Sequence, residues 1–153
     1  MRMPLQEAIP ELEVREPTAP AQSIRPRRVL LIDDNHDAAR SMGMLLKHLG
    51  YEVELAYTGP EGLEAARRTR PDVILCDIGL PGLDGFSVAR VLRSESPTRD
   101  VYLIAISGYG QTEDIRKALD AGFDLHLIKP VDFSRLELAL NSGRHKADIP
   151  AEI

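Results

Sequence analysis

Tryptophan is absent from this 153-residue chain, cysteine occurs once, and aromatic residues make up only 5%. The lone cysteine, Cys76, cannot close an internal disulfide, and inside an apolar run a reduced thiol behaves as a small hydrophobe. Long apolar runs are also missing. The longest, Val101 to Ile106, falls far short of the roughly 18 residues that a membrane-spanning helix requires. The N-terminal stretch MRMPLQEAIPELEVREP mixes charges and prolines where a secretory signal needs about 7 to 15 continuous apolar residues. These absences predict a cytoplasmic protein with no membrane partner. There is no excess of positive charge either: 19 Lys and Arg stand against 24 Asp and Glu, a net charge of -5. A groove that neutralises nucleic-acid phosphates needs the opposite balance, so no nucleic-acid partner is expected.

What is present is ordinary in bulk, with 43% hydrophobic and 28% charged residues, and a chain of this length predicts one domain at roughly 150 residues each. Residues 1–26 hold Pro4, Pro10, Pro17, Pro20 and Pro26 without apolar periodicity, which predicts a disordered leader or linker. From Arg27 to Asn141 short aliphatic runs alternate with segments of helical spacing. The runs are Val29 to Ile32, Val53 to Ala56, Val73 to Cys76, Val101 to Ile106 and Leu125 to Ile128, nearly continuous as strands covered on both faces must be.

Between the first two runs, Ala38, Met42, Leu45, Leu46 and Leu49 mark an amphipathic helix closed by Gly50. Met44 falls roughly opposite its apolar stripe. Helical segments near Pro60 to Arg68, Gly85 to Arg93, Thr112 to Ala121 and Phe133 to Leu140 follow the later runs. The expected fold is α/β: a flavodoxin-like, doubly wound, five-stranded parallel sheet, (βα)5, layered between helices. Residues 142–153 are expected to form a flexible polar tail.

In such a fold chemistry collects where strands end. After the first run come Asp33 and Asp34, after the third Asp77, after the fourth Ser107, and after the fifth Lys129 with Pro130. Three carboxylates facing one point repel by about 4 kcal/mol per pair at ~4 Å for an effective dielectric of ~20. A hard divalent cation relieves that repulsion, and Mg²⁺, which keeps several waters and shares phosphate oxygens, suits the set. A lysine and a serine hydroxyl can pair with phosphoryl oxygens, and an aspartate can carry the group as nucleophile.

Other phosphate and metal patterns fail. No G-x-x-x-x-G-K-[ST] occurs, and Gly108 and Gly110 begin a G-x-G-x-x-G that ends on Glu113. Asp33, Asn35 and Asp37 open like a calcium loop, but Ala38 stands at the turn glycine and Met44 at the bidentate glutamate. Taken alone, Asp33 and Asp34 could equally be a helix cap. Asp84 fits a turn or helix start, and His36 beside the acidic pair is assigned no role.

The segments VLLIDDN, PDVILCDIGLPGLDGF, LIAISGYG and LIKPVD, in this order and spacing, resemble the receiver domain of two-component response regulators, and the wording DIGLPGLDGF and SGYGQ is similar to receivers found in hybrid histidine kinases. The resemblance implies a phosphorelay protein that takes a phosphoryl group from a histidine kinase or histidine phosphotransfer protein onto Asp77 and switches conformation to control a downstream target. It implies Mg²⁺ bound by Asp34, Asp77 and the Gly79 carbonyl, with Asp33 acting through water, and a cis peptide before Pro130. Lys129 would pair with the phosphate and Ser107 would be the switch hydroxyl.

The switch aromatic, usually Tyr or Phe, is His126 here. If His126 moves inward, desolvation keeps it neutral, and acid works against the inward ring. The chain is expected not to be an enzyme beyond catalysing its own Asp77 phosphorylation and dephosphorylation. A free-standing phosphate shuttle or sink is the alternative. A haloacid-dehalogenase-like aspartyl-phosphate hydrolase is disfavoured, because Gly79 stands where that class places its acid.

Overall fold

The structure is a computed structural model describing residues 27–108 and 112–148, with side chains described to residue 141. Five parallel strands, β1 (Arg28–Ile32), β2 (Glu52–Ala56), β3 (Val73–Asp77), β4 (Tyr102–Ser107) and β5 (Leu125–Ile128), form one sheet in the order β2-β1-β3-β4-β5. They alternate with α1 (His36–His48), α2 (Gly59–Thr69), α3 (Gly85–Ser94), α4 (Thr112–Ala121) and α5 (Phe133–Asp148). The expected doubly wound (βα)5 architecture is therefore observed.

Strand periodicity divides the core into two layers. Leu30, Ile32, Ile74, Cys76, Leu103 and Ala105 share one buried cluster with Leu63 and Ala66 of α2, Val88 and Leu92 of α3 and Ala118 of α4. Val29, Leu31, Val73, Leu75, Ile104 and Ile106 share the other with Ala39 and Leu46 of α1 and Leu136 and Leu140 of α5. Because β1, β3 and β4 are covered on both faces, their sequences read as unbroken apolar runs rather than alternations. At one point helix and sheet touch closely: a Cβ on Gly62 would lie 2.4 Å from Ile32 Cδ1, so a side chain there would have to displace the buried Ile32 side chain or α2 itself.

The helix ends follow local chemistry. Asn35 caps α1 by accepting from the Ala38 N–H, Thr58 caps α2 by accepting from Glu61, and Asp84 caps α3 by accepting from Ser87. Asp84 thus does what its position predicts. Gly50, with φ +98°, donates to the Lys47 carbonyl while Tyr51 donates to Leu46, the paired closure that favours glycine after a helix. Met44 is 70% exposed, opposite the buried stripe.

Several strand boundaries shift by one residue, and one helix end shifts by more. Val101 precedes β4 rather than belonging to it, its N–H donating back to Thr98 in the 3₁₀ turn Ser96–Thr98. The helix α5 runs to Asp148, past the expected start of a polar tail at Ser142. No proline interrupts it before Pro150, and Arg144, Lys146 and Ala147 are good helix formers, so the helix continues through Gly143. The leader at 1–26 lies outside the described residues. Among the described residues no helix is long and apolar enough to cross a membrane.

Candidate acidic functional site

The chain leaves β1 to one side for β2 and crosses to the other for β3. A crevice opens at the carboxyl ends of β1 and β3, where helices depart to opposite faces. Asp33 and Asp34 follow β1, and Asp77 is the last residue of β3. Among the described residues these three carboxylates form a group whose ligand oxygens all lie within 4.8 Å of one another. Asp33 is 6% and Asp77 8% exposed, while Asp34 is open to solvent. The cap of α1 is Asn35, so helix capping does not account for Asp33 and Asp34.

Each buried carboxylate is held by the backbone two residues on. Asp33 Oδ1 accepts from the Asn35 N–H at 3.0 Å, and Asp77 Oδ1 accepts from the Gly79 N–H at 2.8 Å. These bonds set carboxylate direction and leave further oxygen lone pairs on each group. Lys129 reaches across from the end of β5: its Nζ donates to Asp77 Oδ2 at 3.0 Å and stands 3.6 Å from Asp33 Oδ2. Its own N–H donates to the Ser107 carbonyl at 2.8 Å, which ties the lysine to the end of β4, and the following peptide to Pro130 is cis, as expected.

Electrostatics reflect the crowding. Burial, reinforced by the Asp77 charge, lifts Asp33 above the usual carboxylate range, although the Asn35 N–H and Lys129 pull the other way. At Lys129 burial works against the charge, yet the bonds and charges of Asp77 and Asp33 prevail and raise the ammonium above its ordinary value. A single lysine cannot compensate three carboxylates. The donor set is all oxygen, and it fits a hard divalent cation better than a softer metal. Cys76 stays outside it: the thiol is fully buried and desolvation pushes it well up, so it is a packing residue and no nucleophile.

Ser107, buried at the end of β4, carries the contact that sequence reading missed. Its Oγ lies 2.9 Å from His126 Nε2. The pairing Ala105 to His126 and Ser107 to Ile128 puts Ser107 and His126 diagonally on one sheet face, the α4 side, on the same face as Ala105. His126 is therefore already turned toward Ser107 in this structure. Burial lowers its pKa, and Asp114 on α4 partly opposes that. The alternation of residues in β4 and β5 was the available signal, but it needed the inter-strand register. His36 stacks on Tyr57 with ring centroids 3.8 Å apart, a contact for which the sequence has no pattern.

Comparison with known proteins places this geometry. A family model, Response regulator receiver domain, matches residues 29–141. The gliding motility regulatory protein of Myxococcus xanthus is 40% identical over 74% of this chain, which spans 14% of that protein's length. The transcriptional regulatory protein PrrA of Mycobacterium leprae is 39% identical over 71% of this chain, which spans 46% of that relative. Among solved structures, the receiver domain of a sensor histidine kinase from Pseudomonas aeruginosa PAO1, with a magnesium ion coordinated in its active-site cleft, superposes with TM-score 0.72 at 33% identity, covering 77% of this chain and 97% of that one. The crevice at the ends of β1, β3, β4 and β5 is thus found in a member of the response regulator receiver domain family, to which this chain belongs.

Proposed function

We propose that this chain is a phosphoacceptor in a two-component phosphorelay, with Asp77 as the single acceptor. The observation that carries the reading is the Asp77 carboxylate, buried among two further carboxylates and bonded to Lys129 Nζ at 3.0 Å. In the reaction a carboxylate oxygen of Asp77 attacks phosphorus, a P–O bond forms, and the P–N bond of the donor phosphohistidine breaks with its electron pair returning to the imidazole. Lys129 is placed to follow the incoming charge, since its ammonium already spans Asp77 and Asp33.

Asp34, Asp77 and the Gly79 carbonyl, with Asp33 through water, would hold Mg²⁺, which when bound neutralises phosphoryl charge. The magnesium site of the Pseudomonas receiver supports this choice of ion. The donor is a histidine kinase or histidine phosphotransfer protein. The output is a conformational change around Ser107 and His126 that alters a partner surface, and the chain catalyses its own Asp77 phosphorylation and dephosphorylation. The cellular setting is cytoplasmic.

The test is intact-mass spectrometry after incubation with a small phosphodonor, with Mg²⁺ or with chelator. Wild type should gain one phosphoryl group only with Mg²⁺, and Asp77→Asn should gain none. Equal modification of both proteins would overturn the assignment.

A further inference from the structure

The direct contact between Ser107 Oγ and His126 Nε2 at 2.9 Å invites a count of protons. A phosphoryl oxygen only accepts hydrogen bonds, and a serine hydroxyl has one proton to donate. If Ser107 donates to a phosphoryl group on Asp77, it has no proton left for His126, and the imidazole nitrogen facing it must supply one. A bare Nε2 would compete for that same serine proton.

We propose that His126 is a positioning residue for Ser107, carrying a proton on Nε2 when a phosphoryl group occupies Asp77, so that His126 donates to Ser107 Oγ and Ser107 donates onward to the phosphoryl oxygen. The inference rests on the phosphoacceptor reading above. Burial opposes a charged ring here, with Asp114 of α4 pulling the other way, and the neutral tautomer protonated at Nε2 is sufficient. The side chain is only half-buried, so water has access to it for the proton exchange that sets the tautomer. A hydrocarbon ring at position 126 could not make this bond.

The experiment uses the full chain with ¹⁵N-labelled histidine, Mg²⁺ and beryllofluoride as the phosphoryl mimic. A bound ¹⁹F signal reports occupancy, and the ¹⁵N resonances missing from His126→Gln identify the ring. With the mimic bound, Nε2 is expected at the position of a proton-bearing nitrogen. His126→Phe should bind the mimic about fivefold more weakly, the equivalent of one net hydrogen bond of ~1 kcal/mol. His126→Gln, which keeps an amide donor, should recover most of that loss. In a Ser107→Ala background the Phe penalty should vanish, as a double-mutant cycle requires for coupled groups. Bound mimic with a bare Nε2, or His126→Phe binding as tightly as wild type, overturns this inference alone. No bound ¹⁹F signal in the folded wild type overturns the phosphoacceptor reading and the inference with it.

Discussion

Lys129 and Asp34 act on the acidic group in opposite senses. Lys129 brings one positive charge to Asp77 and Asp33, and Asp34 brings a third negative charge from the solvent side. Asp34→Ala removes both a ligand oxygen and part of the field that attracts a cation. Calorimetry should find Mg²⁺ affinity at least tenfold lower in that variant, and equal affinity would contradict the ligand assignment.

His126 permits a signed prediction about stability. Its folded-state pKa lies below the ordinary value, chiefly through desolvation. As pH falls through about 6.5 the unfolded chain therefore takes up the proton first. The penalty on the folded state is absent above that range and grows progressively as pH falls toward the folded-state pKa. Denaturant titrations at about pH 8 and about pH 5.5 should show wild type losing ground to His126→Gln in acid. A constant gap would mean that the ring is not desolvated in solution.

At the scale of elements, strand and helix positions were legible because each depends on a short stretch of chain. Continuous runs such as Val73 to Cys76 read as strands buried on both faces, and Asp84 and Gly50 mark helix ends by their own hydrogen bonds. Contacts that need the register of two strands or the path of a long side chain were not legible. The Ser107 to His126 bond is one, and Arg93 is another.

From the last turn of α3, Arg93 donates to the carbonyls of Gly122, Arg99 and Val101 and to Asp124 Oδ2. Asp124 in turn accepts from the Leu103 N–H. The guanidinium thereby ties the loops before β4 and β5 together from beneath the sheet, with the arginine side chain 21% exposed. Arg93→Ala leaves several half-buried acceptors to find water and should cost ~2–3 kcal/mol in urea denaturation. A loss below about 0.5 kcal/mol would reduce the cluster to an ordinary surface ion pair.

For the whole molecule, the two-sided core accounts for why the acidic crevice has fixed geometry. Its carboxylates stand at the ends of β1 and β3, whose last residues are almost wholly buried, so the acidic group inherits the rigidity of the central strands. Among the described residues the core positions lie between Val29 and Leu140, and a chain starting at Arg25 should melt cooperatively and accept phosphate as the full chain does. Loss of cooperative melting would show that the leader contributes to the fold. The site's membership was legible because polar residues stand at four strand ends in the order the resemblance requires; its wiring depended on distances between those ends. The most direct measurement of the central claim is to incubate the protein with Mg²⁺ and a small phosphodonor, reduce it with borohydride and map the peptides by mass. An aspartyl phosphate is converted to homoserine, and the account predicts that conversion at position 77 alone; conversion at Asp33 or Asp34, or none anywhere in phosphodonor-treated protein that has bound Mg²⁺, would contradict it.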